Sequence, residues 1–119
     1  DTSRCMVYMM PFPSKISRDA VVDAAVRLLP QTGLDGLTLR ILAAELEVAP
    51  NALYNHVANR QALVEAISDR SALELRKRML ESVGRSQGLN SIRRAAMAYL
   101  RFATAEPALY DALMARRDV

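Results

Sequence analysis

At 119 residues the chain is about one domain long. Its 51% hydrophobic content, with five prolines and four glycines, excludes a disordered linker or low-complexity protein. One cysteine, Cys5, excludes an internal disulfide framework and a multi-cysteine metal site. No apolar run approaches the roughly 18 residues of a membrane span. The net charge of +3 is uneven: Lys15, Arg18, Arg27, Arg40 and Arg60 are balanced by Asp19, Asp23, Asp35, Glu45 and Glu47, and the surplus follows residue 60.

In chain order, residues 1–15 show no period and contain two prolines, which predicts a flexible leader arm. A first helix is expected from Ser17 to about Thr32. Ser17 caps it, Asp19 sits in its first turn, and Val21, Val22, Ala25, Leu28 and Leu29 form an apolar stripe. Gly33 is placed to stop it in a left-handed conformation, and Pro30 should loosen its last turn. Thr38 caps a second helix, Leu39 to Leu46, which buries Leu39, Leu42, Ala43 and Leu46. After a turn at Glu47-Val48-Ala49, Pro50 opens a short third helix reaching about Val57, since its missing N–H would be unpaired there in any case.

Asn59 caps a fourth helix to about Val83, with Gly84 ending it and Leu63, Ile67 and Leu73 on or near its buried side. Asn90 is expected to cap a fifth helix through about Thr104, and Glu106-Pro107 to start a sixth. Nothing pairs as strands, so the fold class is all-α.

Two short helices joined by a tight turn after a longer one describe a helix-turn-helix, whose second helix offers its N-terminal residues to base edges. Leu53 and Val57 lie four apart and anchor that helix, while Asn51, Ala52 and Asn55 fall on its other side. Asn pairs with an adenine edge and Ala touches a thymine methyl. Tyr54 and His56 flank this face and can donate to phosphate oxygens, as can Arg60 with full charge. Thr38 and Arg40, at the start of the second helix, form an opposite clamp. Tyr54 has an equal alternative as a core residue, and His56 one as a half-buried surface histidine.

The stretch TLRILAAELEVAPNALYNHVANRQALVEAI, Thr38 to Ile67, resembles the DNA-binding domain of the TetR family of transcriptional regulators. The preceding VVDAAVRLLPQTGLDGLTLR is similar to that family's first helix and loop, and AYLRFATAEPALYDALM, Ala98 to Met114, to the start of its regulatory domain. The single cysteine makes a cytoplasmic protein the simplest reading. One histidine, no glycine-rich phosphate loop and no carboxylate pair at a catalytic spacing point away from an enzyme or a bound cofactor. The resemblance implies a homodimeric repressor. It would bind a near-palindromic operator in double-stranded DNA and release it when a small-molecule effector enters the C-terminal helices. Carried over by position, Arg40, Asn51, Ala52 and Asn55 are base-facing, and Thr38, Tyr54, His56 and Arg60 phosphate-facing. Met97, Tyr99, Phe102 and Tyr110 are the pocket candidates, with packing as their alternative role.

Against the family pattern, Glu47 stands where the turn usually has glycine, which predicts a residue at positive φ costing about 1 kcal/mol. Ala49 replaces the usual Ser or Thr cap of the third helix, a loss of about 0.5–2 kcal/mol. The expected organisation is an arm over 1–15, a helix-turn-helix domain over 16–59, and over 60–119 a connecting helix with the beginning of an incomplete regulatory and dimerisation domain. The alternative function is a helical protein-interaction module with weak or lost DNA binding.

Overall fold

The computed structural model describes residues 16–115, which form six α-helices and no strand. They are α1 (Arg18–Gly36), α2 (Leu39–Leu46), α3 (Pro50–Leu53), α4 (Arg60–Val83), α5 (Gly88–Ala105) and α6 (Pro107–Ala115). The fold is all-α, as expected. The leader expected over 1–15, with Cys5, lies outside the described residues.

Three side chains expected as caps perform that role. Ser17 Oγ accepts from the Ala20 N–H at 3.0 Å, Thr38 Oγ1 from Ile41 at 3.1 Å, and Asn59 Oδ1 from Ala62 at 2.8 Å. Each satisfies a donor that the first turn of a helix leaves without a partner. Gly33, at φ 71°, ψ 168°, breaks α1 where a stop was expected, and a short turn carries the helical span on to Gly36.

The turn between α2 and α3 closes as a Schellman motif. The Val48 N–H donates to the Ala43 carbonyl at 3.0 Å and the Glu47 N–H to Ala44 at 3.2 Å. This geometry needs a left-handed residue at position 47. Glu47 adopts φ 57°, ψ 43°, and among the described residues it is the one non-glycine at positive φ. Glu47→Gly should therefore raise stability by about 0.5–1 kcal/mol, the relief of Cβ strain being partly offset by a freer unfolded chain. Thermal melting followed by circular dichroism measures this; a lower midpoint would contradict it.

Three expectations need correction. α3 ends at Leu53 rather than near Val57. Beyond it the Tyr54 N–H bonds to Asn51 at 3.3 Å and the His56 N–H to Leu53 at 2.8 Å, the three-residue spacing of a tightened last turn. Leu73 is 63% exposed, because α4 buries Val64, Ile67, Ser68, Ser71 and Leu75 and position 73 lies two residues, or about 200°, off that stripe. Asn90 lies inside α5; the cap position is Gln87, which makes no side-chain cap bond, and Gly88 opens the helix at φ 62°.

The apolar side chains form one core cluster, with Val21 and Leu29 from α1, Leu42 from α2, Leu53 from α3, Ile67 from α4, Phe102 from α5 and Ala112 from α6. α4 packs along both α5 and α6, and α6 also reaches α1. Arg70 of α4 pairs with Asp23 and, at 3.8 Å, with Asp19 on α1. Further along α4, Arg78 bonds Glu74 at 2.8 Å and Glu106 at 2.9 Å, with its guanidinium 5.3 Å from the Phe102 ring centre. The bonds to Glu74 and Glu106 push its pKa above the usual arginine value.

Candidate nucleic-acid interface

The geometry of α2 and α3 follows from which side chains are buried. Leu42 and Ala43 hold α2 to the core, so Arg40, Ile41, Ala44 and Glu45 lie outward. Leu53 at 0% and Val57 at 2% exposure pin α3 and the turn after it. Pro50 supplies the first helical residue, and the Ala49 carbonyl accepts the Ala52 N–H at 2.9 Å although Ala49 brings no side-chain cap. The missing cap is as the sequence indicated.

On this frame Asn51, Tyr54 and Asn55 are exposed, and Ala52 and His56 half-buried. Tyr54 is 51% exposed, which weighs against a purely core role. Thr38 and Arg40 are exposed at the start of α2. Thr38 Oγ1 is occupied as the acceptor in its cap, but its O–H proton remains available to a phosphate. Arg60 is exposed, yet its guanidinium donates inward within the protein, from Nε to the Leu37 carbonyl at 3.3 Å and from Nη2 to the Leu34 carbonyl. This long-range pairing was invisible in the sequence, where Arg60 reads as a free cation. Arg27 is set against Glu45 at 4.0 Å. Sequence reasoning assigned nothing to Ile41, which is 39% exposed beside Arg40.

Of the residues expected around an effector, Tyr99 and Tyr110 meet each other. The Tyr99 and Tyr110 hydroxyls lie 3.0 Å apart with their rings edge to face. Met97 is 44% exposed, and Phe102 is fully buried. Phe102 borders a cavity of about 200 Å³ with Arg78 and Ala98. A larger cavity of about 350 Å³ lies between α1 and α6, against Leu29, Pro30 and Pro107, and none of those four residues lines it. Among the described residues no three His, Cys, Asp or Glu side chains gather as metal ligands. No helix there is long and apolar enough to cross a membrane.

Residues 21–67 match the family described as bacterial regulatory proteins, tetR family. The chain is 31% identical over 99 residues to the HTH-type transcriptional regulator YobS of Bacillus subtilis, a match covering 83% of this chain and 52% of that protein. It is 33% identical over 101 residues to the HTH-type transcriptional regulator Rv0681 of Mycobacterium tuberculosis, covering 84% and 46%. Over 55 residues it is 46% identical to the tetracycline repressor protein class D of Escherichia coli, covering 46% and 25%. The chain thus spans about half the length, or less, of the curated relatives it matches.

Proposed function

Since the chain belongs to the tetR family of bacterial regulatory proteins, we propose that it binds duplex DNA through α2 and α3 and regulates transcription. The observation that carries this is α3: a short helix held by buried Leu53 and Val57, with Asn51, Tyr54 and Asn55 exposed, inside the matched region. Asn51, Ala52, Asn55 and Arg40 read base edges, while Thr38, Tyr54 and His56 meet phosphates. Residues 16–59 are the reading head, and the helices after residue 60 carry dimerisation and the effector response.

Repression by a homodimer at an inverted-repeat operator is the specific form we favour. Support comes from relatives named as repressors, and from the rule that half-site symmetry mirrors protein symmetry. In vitro selection from a random duplex library tests it. An enriched inverted repeat supports a symmetric dimer; a single enriched half-site limits the reading to DNA binding by one head; no enrichment at low salt removes it.

Arg40→Ala and His56→Ala should each lower affinity for the selected duplex by roughly tenfold, equivalent to about 1–2 kcal/mol, with melting unchanged. A collapsed melting curve in either variant would reassign that residue to the core. A second reading, a helical protein-interaction module, is favoured by Leu89, Ile92 and Leu100, which are 83%, 64% and 58% exposed on α5. Salt separates the two, since contacts to several phosphates weaken steeply with ionic strength and an apolar interface does not.

A further inference from the structure

Arg60 opens α4, and its resemblance-based role is a grip on phosphate. The structure turns two of its five N–H donors to the protein backbone. Nε–H points to the carbonyl of Leu37 at 3.3 Å, and Nη2 to the carbonyl of Leu34, which also accepts the Leu37 N–H at 3.4 Å. We propose that Arg60 is a positioning residue, fastening the first turn of α4 to the segment before α2 and thereby fixing where Thr38 and Arg40 stand. Its consequence for DNA rests on the DNA-binding reading above; its geometry does not.

The two acceptors sit three residues apart, Leu34 in the short turn that ends α1 beyond Gly33 and Leu37 in the connection to α2. A planar guanidinium addresses both at once, whereas an ammonium offers a single point charge. Leu37 is 2% exposed, so its position is locked into the core, and the next residue is Thr38, the cap of α2. A carbonyl held at 37 therefore holds the cap at 38 and the side chain of Arg40 two residues on. Both bonds are charge-assisted, and turning Arg60 outward to a phosphate gives up both. The contact spans 23 to 26 residues of sequence, closing the loop of chain that contains α2 and α3.

The test is Arg60→Lys in the full chain, beside Arg60→Gln. Amide hydrogen exchange of the free protein, read at residues 34–41, should quicken roughly tenfold in Arg60→Lys and more than at the core amides of α4, with the melting midpoint lower by only a few degrees. Affinity for a short mixed-sequence duplex should fall by a similar factor, with the dependence on salt equal to that of the unchanged protein. Unchanged exchange in Arg60→Lys overturns the proposal. So does full affinity in Arg60→Lys together with a salt slope shallower by about one in Arg60→Gln, the signature of a lost phosphate contact. Exchange that quickens equally at residues 34–41 and across the core of α4–α6 also overturns it, leaving general structural support. If the unchanged protein binds no duplex at low salt, the DNA-binding reading fails, and the exchange measurement still decides the role of Arg60.

Discussion

Leu53→Ala should lower stability by about 2–5 kcal/mol and reduce DNA affinity well beyond tenfold. α3 has four residues, too few to persist on its own hydrogen bonds. Its orientation comes from Leu53, fully buried, and from Val57 just beyond it. Truncation removes the transfer energy of the side chain and leaves a hole that the short helix cannot fill without tilting. Asn51 and Asn55 move with it. Urea titration by circular dichroism gives the stability change. Duplex binding, measured where the variant is still folded, gives the rest. An unchanged urea midpoint would mean that Leu53 does not anchor α3.

The other large effect is expected at the opposite end. Phe102→Ala should cost about 3–5 kcal/mol. Phe102 has no exposed surface, and the Arg78 guanidinium lies 5.3 Å from its ring centre, a contact worth about 0.5–1 kcal/mol or more besides the packing. Removing the ring leaves Arg78 tied to Glu74 and Glu106 over a void. Phe102→Leu, which restores most of the volume, should recover much of the loss. Met97→Ala, at a 44% exposed position on the same helix, is the control. If Phe102→Ala shifts the urea midpoint no further than Met97→Ala, the ring is not a core element.

Much of this architecture is legible in the sequence because the responsible interactions are local. Ser17, Thr38 and Asn59 cap helices through bonds three residues away, and Gly84 ends α4 at φ 54°. Glu47 stands out because the family pattern has glycine there, and its backbone is indeed left-handed. The errors lie where locality fails. Asn90 has the chemistry of a cap, yet Gly88 starts the helix two residues earlier. Leu73 was expected on or near the buried side of α4 but is out of phase with the stripe ending at Leu75. Arg60 finds its acceptors 23 and 26 residues back, and Arg78 finds Glu106 28 residues ahead; no periodicity announces either. Residue spacing therefore indicated which side chains of α2 and α3 stand exposed, while tertiary pairing set what Arg60 touches.

Leu53 and Phe102 belong to the same apolar cluster, and α6 closes it by touching both α4 and α1. Free energy in such a molecule is held in common. Loosening the helices after residue 60 does not simply fray that end; it raises the population of globally opened chains, in which α3 has no fixed orientation. Proteases act on that population, so a substitution far from α3 can change how much protein persists. The amount of folded protein is then set by the whole bundle, and the quality of the α5 and α6 packing governs how many chains hold α3 in place.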